Sequence, residues 1–176
     1  MNSAKKGFTL IELLIVIAIL AILTAAVVVV LNPAQLLAQA RDSQRFSDLS
    51  SVQSAINFYL STTTSTTPMI TTATIMVSTT TNQFTQTVSV NASTTVGVTG
   101  WVAVALQNSA GGASPLSVLP LDPVNNSSFY YAYCALSTDS TYEVNASLES
   151  VKYVGKETLD GGDQAAFYEV GTDVSC

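Results

Sequence analysis

Between Phe8 and Leu31 the chain reads FTLIELLIVIAILAILTAAVVVVL. The part after Glu12 is an unbroken apolar run of roughly 19 residues, long enough to cross a hydrocarbon core as a helix. Lys5 and Lys6 stand just before it, and no comparable cationic cluster follows until Arg41. The positive-inside bias then leaves the N-terminus in the cytoplasm and exports the rest. A secretory signal would be cleaved after its apolar core; Thr24-Ala25-Ala26 could be read as such a site, but the run continues through Val30. Glu12 is the unusual residue, because a charge inside a membrane segment costs about 2.5–3.5 kcal/mol even on lenient insertion scales. It calls for a partner.

The rest of the chain is of another character. Its 176 residues have room for one modest domain and an elongated element. The mean hydropathy of +0.39 averages the apolar N-terminal block with a half rich in Ser, Thr and Asn. Net charge is −6, and the cations Lys5, Lys6, Arg41, Arg45, Lys152 and Lys156 are too scattered to form a phosphate-binding stripe, so direct nucleic-acid binding is not expected. The absence of histidine removes the commonest general base and neutral metal ligand. With no triad, metal cluster or phosphate loop, an enzyme is disfavoured and no cofactor is expected. Two cysteines, Cys134 and Cys176, are too few for a structural zinc site and read better as a disulfide in an oxidising compartment than as two free thiols. Closing that loop of about 43 residues would contribute roughly 3–4 kcal/mol in the chain-entropy estimate.

Lys6-Gly7-Phe8-Thr9-Leu10-Ile11-Glu12 resembles the processing site of type IV prepilins and of the related secretion pseudopilins. The resemblance implies that a membrane peptidase cuts between Gly7 and Phe8 and N-methylates Phe8. It also implies that Glu12 neutralises the new amine of a neighbouring subunit. A buried carboxylate is tolerable when it meets such a fixed positive charge. The competing reading is a plain signal anchor whose Glu12 snorkels toward the headgroups.

Pro33 removes the amide that would bond the Val29 carbonyl, so a helix passing through it should kink or open locally. The helical pattern then resumes from Ala34 to about Leu60, with Phe46, Leu49, Val52, Ile56 and Tyr59 on one apolar stripe. Phe8 to Leu60 is thus expected as one long helix of about 80 Å, the spine that pilins resemble. Arg41, Arg45, Asp42 and Asp48 are expected to be either solvated or engaged in lateral contacts between subunits.

Beyond the helix, the Ser61–Thr81 tract of Ser and Thr suits loop and extended structure, with strands expected at Thr74–Ser78 and Phe84–Val90. Its hydroxyls could carry sugars or simply be soluble strand residues. The sequons at Asn91, Asn125, Asn126 and Asn145 are weak signals in a chain this rich in Asn and Ser. Trp101 and the VAVAL that follows belong in the core, and Gly111-Gly112 marks a loop. Leu119-Pro120-Leu121-Asp122-Pro123 and the Tyr-rich stretch after it resemble the proline-aspartate-proline loop and strand of pseudopilins and some pilins, although Val124 stands where that pattern has an aromatic. Strands are expected at Phe129–Leu136, Thr141–Leu148 and Ala166–Val170, with a turn at Thr138-Asp139-Ser140. Asp160 and Asp163, flanking Gly161-Gly162, form a plain turn or a minimal calcium site of the kind that some pseudopilin C-terminal loops carry.

The expected architecture is α+β, a long N-terminal helix packed on a small antiparallel sheet. It divides into a leader at 1–7, a membrane or filament-core half-helix at 8–31, an amphipathic half-helix at 32–60 and an exported β-rich domain at 61–176. The resemblance implies a structural subunit of a type IV pilus with adhesion, motility or uptake roles, made as a single-pass precursor in the cytoplasmic membrane and ending in an extracellular filament. It implies as partners further copies of the chain, a prepilin peptidase, an assembly platform with its motor, and the bilayer. A type II secretion pseudopilin, or a signal-anchored enzyme or binding module, are the alternatives.

Overall fold

In the computed structural model, residues 7–63, 75–79, 88–109, 112–136 and 141–172 are described. The Ser/Thr tract over 64–74, the first part of the second expected strand, the turn at 138–140 and Cys176 lie outside them. The chain forms two compact units, Met1–Leu37 and Ala38–Cys176.

The first unit holds helix α1, Leu10–Leu31, in which no residue is buried. Its 22 residues give about 33 Å at 1.5 Å per residue, long and apolar enough to cross a membrane. The local opening expected at Pro33 within the Phe8–Leu60 helix is found, one residue earlier. Asn32 adopts a left-handed conformation (φ 40°, ψ 75°) that closes α1, and α2 opens at Pro33 and runs to Thr62. Proline at a first helical position loses nothing by lacking an amide, and asparagine tolerates the left-handed region better than most residues. Asn32 ends α1 through its conformation and heads α2 through its carbonyl, which accepts the Gln35 amide at 2.9 Å and the Leu36 amide at 3.3 Å. The break is one residue long.

In the second unit the buried positions of α2 are Ala38, Asp42, Arg45, Leu49, Val52, Ala55, Ile56 and Tyr59. The expected apolar stripe is therefore buried, and it extends N-terminally through two charged residues. The sheet has five strands: β1 (Ile75–Val77), β2 (Val88–Val90), β3 (Tyr131–Leu136), β4 (Thr141–Ala146) and β5 (Tyr168–Gly171). Their order is β2-β1-β3-β4-β5. The expectation of an antiparallel sheet is corrected at one edge, where β1 and β2 run parallel. The connection between them is longer than a hairpin turn, so it can carry the chain back to lie alongside β1 in the same direction. The other pairs, β1 with β3, β3 with β4 and β4 with β5, are antiparallel.

Because side chains alternate along a strand, the register separates two faces. Tyr131, Tyr133 and Ala135 of β3 and Tyr142, Val144 and Ala146 of β4 join Leu49, Val52, Ile56 and Tyr59 of α2 in the main core. The 101–106 segment completes it, with Trp101 fully buried and its indole N–H donating to the Pro120 carbonyl at 2.9 Å. Each buried aliphatic or aromatic side chain contributes on the order of 1.5–3 kcal/mol relative to exposure. The opposite face carries a smaller cluster of Val77, Ala132, Cys134, Tyr130 and Phe167. Of the sequon asparagines, Asn145 is buried on β4, while Asn91 and Asn125 donate their side-chain amides to backbone carbonyls. That use argues against modification at these three.

Candidate functional site

Gly7, Phe8 and Thr9 form an exposed, non-helical stretch immediately before α1, with Phe8 79% exposed. A Cβ added at Gly7 would meet nothing within 4 Å. The bond between Gly7 and Phe8 is therefore open to a protease, a condition that a bond inside the helix would not meet.

Glu12 lies one turn on, in a capping box with Thr9. The Thr9 hydroxyl accepts the Glu12 amide at 3.2 Å, and Glu12 Oε2 accepts both the Thr9 amide at 2.9 Å and the Thr9 hydroxyl at 2.8 Å. Two helix-terminal amides that would otherwise be orphaned are thereby satisfied. The carboxylate expected to need a partner thus has a local one within its own chain. Both bonds use Oε2, and Glu12 Oε1 has no hydrogen-bond donor among the described residues. The pattern Thr-x-x-Glu before an apolar run was the signal for this box, overlooked beside the cleavage motif.

The second group of sequence candidates comes out differently. The reading of Arg41, Arg45 and Asp42 as solvated or lateral contacts is corrected, because their partners are in the same chain. Arg45 is fully buried. Its Nε and Nη2 donate to Asp122 at 2.6 and 3.0 Å, Nη1 donates to Asp42 at 2.8 Å, and Nη2 lies 2.6 Å from Glu149. Arg41 forks onto Glu149 from the outer side. Asp42 also accepts the backbone amides of Glu149 and Ser150, and Asp122 those of Val124 and Asn125. The ring of Phe129 lies 5.0 Å from the guanidinium carbon. Asp48 accepts the Tyr131 hydroxyl at 2.8 Å.

This cluster fastens α2 to the proline-aspartate-proline loop and to the segment after β4. Burial alone would lower the Arg45 pKa, but Asp122 above all, then Glu149 and Asp42, holds it above the ordinary range. Burial would raise the Asp42 carboxyl, yet hydrogen bonds from Ser150, the Glu149 amide and Arg45 hold it below its usual value. Every charge faces a partner, and the arrangement is a tie between elements. Positions 42, 45, 49, 52, 56 and 59 continue one alternation of three and four, which was the sequence signal that Asp42 and Arg45 lie on the buried stripe.

Asp160 and Asp163 do not form an isolated pair. Asp160 braces its turn, with Oδ1 accepting the Gly162 amide at 3.1 Å and Oδ2 the Glu169 amide at 2.8 Å. Asp163 is exposed and falls with Glu143 and Glu169, one carboxylate oxygen of each lying within 4.8 Å of the others. Cys134 sits buried on β3; its expected partner Cys176 is outside the described residues.

Residues 2–28 match the family model described as the prokaryotic N-terminal methylation motif. No curated protein and no solved structure matches the chain. The matched residues span the exposed Gly7–Phe8 bond, the Thr9–Glu12 capping box and most of the uncovered apolar helix. The chain therefore carries the N-terminal signature of type IV pilins and pseudopilins.

Proposed function

We propose that this protein is a structural subunit of an extracellular type IV pilus, cleaved between Gly7 and Phe8 and N-methylated on Phe8. One observation carries the reading: a 22-residue apolar helix with no buried residue, headed by a single carboxylate and an exposed cleavage bond. Such a surface must be covered by lipid or by other helices. The bilayer covers it in the precursor, held with its N-terminus in the cytoplasm, and copies of α1 cover it in the filament. Glu12 Oε1 then receives the methylated amine of Phe8 from a neighbouring subunit, which neutralises a charge that lipid or protein surroundings would penalise. A prepilin peptidase makes that amine. An assembly platform and motor extract the subunit into a filament with surface roles such as adhesion, motility or uptake. The chain itself does no catalysis in this account. Cys134 pairs with Cys176 in the exported domain, which pins the C-terminus to β3.

A secretion pseudopilin is the second reading, favoured by the resemblance of the loop around Asp122, whose carboxylate is now seen fixed by Arg45. Mass spectrometry of the N-terminus tests the class: a methylated phenylalanine start supports it, and an intact Met1 in assembled material opposes it. Abundance in filaments sheared from cells separates pilus from pseudopilus. Glu12→Leu subunits that are processed and assembled with normal efficiency would remove the electrostatic part of the account.

A further inference from the structure

The sheet face turned away from α2 is not uniformly apolar. β4 and β5 pair Asn145 with Glu169 and Glu143 with Gly171, so Glu143, Asn145 and Glu169 project from the same face as Cys134 and Ala132. All three are buried, with Glu169 only 3% and Asn145 4% exposed. Among the described residues, Glu169 Oε1 and Asn145 Oδ1 are enclosed without a hydrogen-bond donor, and Glu169 Oε2 receives only the Gln164 amide at 3.3 Å. Leaving such acceptors buried and unpaired costs about 1–3 kcal/mol each, and more when they are charged. The preceding loop is drawn onto this carboxylate, since a Cβ at Gly162 would fall 1.3 Å from Glu169 Oε2. It delivers Asp163 to the same place.

We propose that Glu143, Asp163 and Glu169, with Asn145 Oδ1 on the same face, form a binding site for a calcium-sized hard divalent cation. The donors are all oxygens, in a chain without histidine, which selects against the softer transition metals. Calcium bonds oxygen at about 2.3–2.6 Å, so two ligands on opposite sides of one ion stand about 4.8 Å apart. One carboxylate oxygen from each of the three residues lies within 4.8 Å of the other two. One ion can therefore reach an oxygen of each, and the flexible six-to-eight-oxygen shell of calcium suits donors drawn from two strands and a loop better than the strict octahedron of magnesium. Carboxylates that bind through one or both oxygens, the Asn145 oxygen and water complete the six to eight ligands that calcium takes. Exposed Asp163 provides a way in from solvent. Burial first and the neighbouring Glu143 second push the Glu169 carboxyl up to about 8. The site lies wholly in the Ala38–Cys176 unit and does not depend on the filament reading.

The test uses the full chain in detergent at pH 7.5, with calorimetric titration of calcium chloride and thermal unfolding followed by Trp101 fluorescence in calcium and in EGTA. The expected result is one ion per chain with a Kd of about 10⁻⁴–10⁻³ M, as in extracellular calcium modules, and a higher unfolding temperature in calcium. Asp163→Asn, at an exposed position that leaves the fold intact, should weaken binding about tenfold or more. Glu169→Gln should abolish the calcium-dependent shift. Absence of binding up to about 10 mM calcium, with equal unfolding temperatures in calcium and EGTA, would overturn the proposal. So would wild-type affinity in both variants, which would put the ion elsewhere. Stabilisation by Glu169→Gln in a protein with no calcium response would likewise overturn it, identifying a proton-sharing carboxyl pair.

Discussion

Arg45→Met removes the guanidinium that Asp42, Asp122 and Glu149 share, and does so at a fully buried position. Methionine fills much of the same volume with flexible apolar atoms, so the cavity contribution is small and the effect is mainly electrostatic. The three carboxylates are not wholly abandoned: Asp42 keeps the Glu149 and Ser150 amides, Asp122 keeps those of Val124 and Asn125, and Glu149 keeps Arg41. Removing one partner of a buried pair destabilises by about 3–5 kcal/mol, and these remaining donors place the expectation at the lower end, about 3 kcal/mol. Trp101, the single tryptophan, lies in the core of the same unit and reports its unfolding in a urea titration of the full chain in detergent. With a slope near 2 kcal/mol/M, the midpoint should fall by about 1.5 M. Adding Asp122→Asn to Arg45→Met should cost less than the sum of the two single changes, by about 1 kcal/mol or more, because the asparagine no longer carries the stranded charge. A loss below about 1 kcal/mol for Arg45→Met, the value of an exposed ion pair, would refute the reasoning.

Two tyrosines on the same face of β3 should respond in opposite ways to loss of their hydroxyls, as read by the same urea titration. Tyr133→Phe removes a buried hydroxyl without a hydrogen-bond partner among the described residues and should be neutral or stabilising by up to about 1 kcal/mol, whereas Tyr131→Phe breaks the bond to Asp48 and should cost about 1–2 kcal/mol. Gly100→Ala should destabilise by about 1–3 kcal/mol, because the added Cβ would sit 2.1 Å from the Thr95 carbonyl and 2.5 Å from Leu119 Cδ1, and backbone has to shift to admit it. Acid should weaken the Ala38–Cys176 unit: burial would raise the Asp42 and Glu149 pKa values, but Asp42's hydrogen bonds from Ser150, the Glu149 amide and Arg45, and Glu149's from Arg41 and Arg45, lower them. The stability these groups add is complete above the ordinary carboxylate range and disappears as pH falls through their lower folded values. Urea midpoints measured from pH 5 down to about pH 2 should therefore decline, and Asp42→Asn should flatten that decline.

What could be read from the residues and what could not divide along the range of the interactions. The apolar run, the cleavage motif and the buried stripe of α2 were legible because each is set by neighbours within a turn or two. The break at Asn32 was foreseen as a proline effect, but its form, a single left-handed residue that ends α1 and whose carbonyl accepts the first free amides of α2, is not announced by the proline alone. Arg45 was read as solvated or as a lateral contact between subunits because its main partner, Asp122, lies 77 residues away. The loop around Asp122 was recognised as a stiff turn, and nothing local to it announced a buried carboxylate. The parallel pairing of β1 and β2 was likewise hidden, since strand pattern does not say on which side of its neighbour a strand will add. Glu143 and Glu169 looked like ordinary strand residues, and only the pairing of β4 with β5 puts them together.

The tie around Arg45 also bears on how the chain reaches its native state during synthesis. A ribosome releases Arg45 long before Asp122, and Glu149 later still. Until then water is the better host for the guanidinium, because enclosing it without its acceptors would leave a bare charge in an apolar setting. The stripe on α2 therefore cannot be sealed progressively as the polypeptide emerges; it must wait for the distal carboxylates and close in one late, concerted step. A nascent chain halted before Glu149 should keep this end of α2 hydrated and open to proteases, however well its helix has formed.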